Sequence, residues 1–135
     1  MAVQLSVAVR NARLDAIETA IGTAAVMKIR TGAAPANVAA ADSGTVLATL
    51  SLPSDWMAAA SSGSKAKSGT WEDASADAAG TAAHFRIYAS DGTTAHLQGT
   101  VTATGGGGDL TVDNTSFAAG QTFTVTSFSL TDGNS

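Results

Sequence analysis

Cysteine is absent from this chain of 135 residues, which excludes disulfide staples, thiolate catalysis and cysteine-bound metal. Charge is scarce as well. Charged side chains make up 13% of the sequence, about half of the ~25% usual in globular domains, and serine and threonine take their place. The seven basic residues form no cluster and the formal net charge is −4, so few phosphates could be neutralised and no nucleic-acid partner is expected. No apolar run approaches the ~20 residues needed to span a bilayer, and no basic segment followed by an apolar one marks an export signal. The expectation is synthesis in the cytoplasm without a membrane partner.

Large apolar side chains are few. Hydrophobic residues amount to 44%, but 29 of those 60 are alanine, which leaves 31 larger ones. Stabilisation follows buried apolar area at roughly 25 cal/mol per Å², so a single domain of this length has a thin core and gains from packing against something else. A sparsely charged surface also repels its neighbours weakly, as suits subunits of a fixed assembly and equally a secreted β-protein.

What is present is alternation. Residues 84–104 read as a β-hairpin, with Phe85 and Ile87 on one face and His84, Arg86 and Tyr88 on the other. A three-residue turn, Ser90-Asp91-Gly92, pairs Phe85 with Leu97 and Ile87 with Ala95. It sets Arg86 opposite His96 and His84 opposite Gln98, so that one face is dry and the other wet.

Earlier in the chain, Val3, Leu5, Val7 and Val9 alternate like an extended arm, while Leu14, Ile17 and Ile21 recur at helical spacing. The reading is an arm followed by a helix near 7–21, capped by Ser6 or Asn11 and ended by Gly22. Strands are expected over 26–30 and 45–52, with a loop over 32–44 between them. Ser54 to Met57 resembles the start of a helical turn. A strand follows around 66–72, then a mobile stretch over 73–80. The four glycines 105–108 read as a flexible turn, and 110–112 as a short strand. In the last strand, 121–131, Phe123 and Val125 lie in one parity and Phe128 and Leu130 in the other, which implies a bulge near Thr126-Ser127.

The sum is a mainly β chain: residues 1–22 form an arm and helix, and residues 23–135 an antiparallel β-sandwich of jelly-roll or immunoglobulin-like type. Neither topology is favoured by periodicity.

Chemical motifs are weak. His84 and His96 fall as diagonal neighbours on the wet face without a third ligand nearby, and read as a solvated pair. The glycine run lacks the Gly-Lys-Ser/Thr ending of a phosphate loop. No Gly-x-Ser-x-Gly elbow exists, and Glu72, Asp73 and Asp77 lack the spacing of an EF-hand. No catalytic residue, cofactor or metal is therefore assigned, and an enzyme is not expected. Trp56 and Trp71 fit either a structural role in the core or a partner-binding surface, such as a sugar-stacking platform.

Four stretches resemble one family together: SVAVRNARLDAIETAIG, KIRTGAAPANVAAADSGTVLATLSLPSDWM, GTAAHFRIYASDGTTAHLQGTV and DNTSFAAGQTFTVTSFSLTDGN. They are similar to small proteins encoded among the virion-structure genes of tailed bacteriophages and prophages, and cover nearly the whole chain. The resemblance implies a structural component of the virion, similar to the cement or decoration proteins that bind the capsid exterior and clamp neighbouring capsomers. Tail or head–tail joining proteins are the alternative position, and a carbohydrate-binding module using Trp56 or Trp71 the alternative class. The implied partners are the major capsid protein and further copies of the chain, as a dimer or trimer. Val3, Leu5, Val7, Val9, Trp56 and Trp71 are the candidate partner-binding residues.

Overall fold

The computed structural model describes residues 3–132. The first two residues of the expected arm and the last three of the expected β domain lie outside them. The chain is mainly β with one N-terminal helix. Helix α1 (Val7–Ile21) begins where Ser6 adopts an extended conformation and its Oγ accepts the Val9 N–H at 3.2 Å, the ordinary N-cap arrangement. It ends at Gly22, whose φ of 93° suits glycine and whose N–H donates to Glu18 O.

The strands are β1 (Val26–Arg30), β2 (Val46–Ser51), β3 (Ser64–Ala66), β4 (Trp71–Asp73), β5 (Gly80–Thr81), β6 (His84–Tyr88), β7 (Ala95–Ala103), β8 (Leu110–Val112), β9 (Ser116–Phe117), β10 (Phe123–Val125) and β11 (Ser129–Thr131). Five of them form one curled sheet in the order β2-β1-β6-β7-β8, half of a barrel. Against it stand three two-stranded antiparallel ladders, β10-β4, β11-β3 and β5-β9.

The sheet is mixed, which corrects the expectation of purely antiparallel pairing. Val101 pairs with Leu110 and Ala103 with Val112 in parallel. Parallel neighbours ordinarily need a crossover of a dozen or more residues, and here residues 104–109 suffice because the glycine run folds flat against β7. A Cβ on Gly106 would lie 2.7 Å from Thr102 Cβ, and one on Gly108 2.9 Å from Thr102 Cγ2. The glycines thus supply room for close passage as well as freedom to turn.

The hairpin β6–β7 keeps the predicted parity but slips by two residues. Ile87 pairs with Leu97, Phe85 with Gly99, Arg86 with Gln98 and His84 with Thr100. One residue of the slip comes from a longer turn, residues 90–93, closed by Ala89 N–H to Thr94 O. The other comes from a bulge that leaves His96 as the extra residue between Ala95 and Leu97. The empty side-chain position at Gly99 is taken by the Phe85 ring, 2.7 Å from where a Cβ would stand.

Aromatic rings join the layers. Phe85 on the sheet meets Phe128 edge-on at 5.6 Å, Phe128 meets Trp71 at 5.5 Å, and Trp71 meets Trp56 at 6.0 Å, spacings typical of favourable aromatic pairs. The strand change expected near Thr126-Ser127 is present: β10 pairs with β4, β11 with β3, and Phe128 turns inward between them. Two readings are corrected. Ser54 to Met57 forms no helical turn, because Trp56 O accepts Ser68 N–H and Met57 bridges to Lys67. The strand over 66–72 is divided into β3 and β4 by Gly69, at φ +72° against the Pro53 ring. The stretch 73–80 is laced to β2: Asp73 accepts the Thr49 N–H at 2.8 Å and Asp77 N–H donates to Leu47 O at 2.7 Å.

Candidate interaction surfaces

Among the described residues, the exposed large hydrophobic side chains are Val3, Val7 and Val9, at 82%, 46% and 45% exposure. All three belong to the expected arm. The alternation does not run through it as one strand, because the chain turns helical after Ser6 and residues two apart on a helix point to different sides. Leu5 is half-buried.

The helix behind this segment is fastened by a buried cation. Lys65 on β3, with 2% of its side chain exposed, places Nζ 2.7 Å from Asp15 Oδ1 and 2.9 Å from Glu18 Oε1, and donates to Ala58 O. Burial disfavours the charged ammonium, but the two carboxylates outweigh it and its pKa is raised. Asp15 is held below the usual carboxylate range by its bond from Lys65 and by the Ala60 N–H. Nearer the arm, Asn11 accepts the Gly63 N–H and Arg10 donates to Asp132 O. Sequence reading missed Lys65, which lies among small residues without any period.

The face of β6 predicted to be wet is buried. His84 and Arg86 are 1% exposed and Tyr88 0%, because the loop 32–44 folds over them. Arg86 donates to Gln98 Oε1, Ala40 O, Asn37 O and Asp42 Oδ1. Arg30 reaches Asp42 Oδ2 at 3.1 Å and the Tyr88 hydroxyl at 3.3 Å, and that hydroxyl donates to Asp42 Oδ1. Burial pushes the Asp42 carboxyl up, yet Tyr88, Arg30 and Arg86 outweigh it and leave its pKa lowered. Tyr88 moves the other way, raised by burial and by its bond to Asp42. Lys28 stands opposite Arg86 across β1 and β6, and places its ammonium 5.0 Å from the centre of the Tyr88 ring.

His84 and His96 are not neighbours. His84 Nδ1 meets Gly32 O at 2.7 Å and its Nε2 is buried without a partner, whereas His96 is the exposed bulge residue near the hairpin turn. The solvated pair is therefore corrected to one packed imidazole and one solvated one. Asp42 carries most of this arrangement and was not singled out in the sequence. Its one visible signal is that it is the only charged residue in an alanine-rich loop.

Trp56 and Trp71 are 0% exposed. Trp56 Nε1 donates to Gly22 O, and Trp71 Nε1 lies 3.2 Å from both Trp56 O and Ser68 O. With their rings and N–H groups committed inside, neither offers a surface for sugar stacking. Among the described residues, no group of three or more His, Asp or Glu side chains could hold a metal ion, and no helix is long and apolar enough to cross a membrane.

One side of the half-barrel stays open. Among the described residues no strand continues the sheet beyond β8, and across a gap from it run β10 and β11, each paired there on one side only. Hollows of about 370 and 290 Å³ lie along this seam, one between Asp109 and Thr111 and the segment 126–129, the other between residues 111–114 and 121–126. On the opposite side, β2 and β4 are joined through Asp73 and Thr49.

No family model matches the chain, and no curated protein or solved structure matches it.

Proposed function

We propose that this protein is a structural component of a phage virion, a cement or decoration protein made in the host cytoplasm and bound to the outside of the capsid through the major capsid protein and through its own copies. The observation that carries the reading is the concentration of exposed large apolar side chains at one end of the chain, Val3 ahead of α1 and Val7 and Val9 on its first turn, with the helix itself fixed by buried Lys65. An apolar segment on a well-anchored base can add to a neighbouring sheet or groove, and many copies on a shell turn a weak single contact into durable attachment. The thin charge of the surface supports close packing of copies. The half-barrel with ladders facing it is read, in the same proposal, as a two-layered relative of the β-sandwich.

The test is a chain lacking residues 1–5, which keeps the Ser6 cap. It is expected to fold with unchanged circular dichroism and to lose co-sedimentation with capsids. Retained binding would remove the arm from the proposal. Hundreds of copies over a labelled particle would accord with cement, and six or twelve at one vertex would move the protein to a head–tail joint.

A further inference from the structure

We infer that the Asp91–Gly92 step is a site of covalent backbone modification, aspartyl isomerisation, and that the Thr94 hydroxyl is the group that holds the reaction in check.

The sequence contains two Asp-Gly steps and no Asn-Gly step, and Gly133 of the second lies outside the described residues. Glycine after aspartate is the permissive case, because no Cβ hinders the approach of its nitrogen to the preceding side chain. In the reaction the Gly92 nitrogen bonds to Asp91 Cγ and the Cγ–Oδ bond breaks. The departing oxygen leaves as water with the nitrogen's proton. The cyclic imide then takes water back at either of its carbonyls. Opening at the former main-chain carbonyl routes the chain through Asp91 Cβ and Cγ at unchanged mass. The product lengthens the main chain of the turn that sets the β6–β7 register.

Burial gives this step no shelter, since Asp91, Thr93 and Thr94 are all exposed. Hydrogen bonds do. Asp91 Oδ1 accepts the Thr93 N–H at 2.8 Å and the Thr94 N–H at 2.9 Å, and Oδ2 accepts the Thr94 hydroxyl. Both oxygens are thus committed to residues beyond the nitrogen that would attack. That nitrogen is engaged as well, because the Gly92 N–H donates to Ala89 O at 2.9 Å. The bonds to the carboxylate also favour its ionised form and hold its pKa far below the ordinary 3.8, with the Thr94 hydroxyl as the largest cause. An anionic carboxylate is a poor electrophile, and loss of water proceeds from the neutral carboxyl. Of the groups that hold the Asp91 oxygens, the Thr94 hydroxyl alone belongs to a side chain. A substitution can therefore remove it while Ala89 N–H to Thr94 O still closes the turn.

The test ages the unsubstituted chain, Thr94→Val and Thr94→Ser at neutral pH, each folded in buffer and unfolded in urea. Isoaspartate at residue 91 is read by peptide mapping, with an isoaspartyl methyltransferase as the reporter. The folded unsubstituted chain is expected to accumulate it several-fold more slowly than the unfolded one. Thr94→Val should raise the folded rate several-fold, Thr94→Ser should keep it low, and all three should age alike in urea. Circular dichroism verifies that each variant is folded, and Thr94→Ala replaces Thr94→Val if the valine disturbs the turn. No isoaspartate at residue 91 in urea would overturn the site. Equal rates for the folded and unfolded unsubstituted chain, or a folded Thr94→Val chain that ages as slowly as the unsubstituted one, would overturn the role of the hydroxyl.

Discussion

Arg86 Nη1 lies 2.8 Å from Asp42 Oδ1, and this contact joins the central strand of the sheet to a loop with no regular structure. Asp42 serves two guanidiniums and a phenol at once, since Arg30 and Tyr88 also bind its carboxylate. Its removal leaves two buried cations facing each other across uncharged neighbours. The cost of stranding a buried charged donor is about 2 kcal/mol, with water relieving part because the Asp42 side chain is 38% exposed. Asp42→Ala is therefore expected to lower the unfolding free energy by that amount, read as a lower urea midpoint at an unchanged slope, and Arg86→Met, which removes one cation along with its bonds, to cost no less.

The pH dependence follows from the same contacts. Asp42 and Asp15 have folded pKa values below their ordinary 3.8, so the stability they contribute is present above that value and is lost as pH falls through the folded one. Lys65 is shifted the opposite way, above its ordinary 10.5. Its contribution is complete below that value and is lost as pH rises through the folded one. Thermal melts should show Lys65→Met losing stability at neutral pH and flattening the alkaline decline, with Asp42→Asn flattening the acid one. A Lys65→Met protein with an unaltered alkaline limb would show that the ammonium is not what holds α1 down.

Much of the backbone was legible in the sequence, and most of the polar site was not. The helix could be read because Ser6, the Leu14–Ile17–Ile21 stripe and Gly22 agree with one another. Strands β1 and β2 and the break in the last strand could be read from parity alone. The burial of His84, Arg86 and Tyr88 could not, because what covers them is a run of alanines contributing backbone carbonyls, and carbonyls leave no mark in a residue pattern. The hairpin slip had a similar origin. Gly99 fits beneath the Phe85 ring only in the observed register, and alternation is blind to a shift of two. Lys65 and Asp15, fifty residues apart, had no local signal at all.

The two indoles supply a spectroscopic check. Both are fully buried, so the native emission should be blue-shifted, weakly quenched by iodide and unchanged by mono- or oligosaccharides. An emission change on addition of a glycan, abolished in Trp56→Phe or Trp71→Phe, would restore the carbohydrate-binding alternative.

The glycine run separates two kinds of constraint. At Gly105 and Gly107 a Cβ would meet nothing within 4 Å, but φ is +89° and +81°, and alanine in that left-handed region costs about 1 kcal/mol. At Gly106 and Gly108 no positive φ is involved, and the obstacle is Thr102, whose side chain would stand 2.7 and 2.9 Å from the new Cβ. Thr102 Oγ1 also accepts the Gly108 N–H at 3.0 Å, so the threonine cannot swing away without giving up that bond. Forcing such an overlap costs about 1–3 kcal/mol. Gly106→Ala and Gly108→Ala are thus expected to lower the denaturation midpoint at least as much as Gly105→Ala and Gly107→Ala. Thr102→Ala in the Gly108→Ala background should recover part of the loss, since it removes the clashing Cγ2, whereas it should recover nothing in the Gly107→Ala background. Equal rescue in both backgrounds would mean that the run is a slack turn and that close passage against β7 is not what sets the parallel β7–β8 pairing.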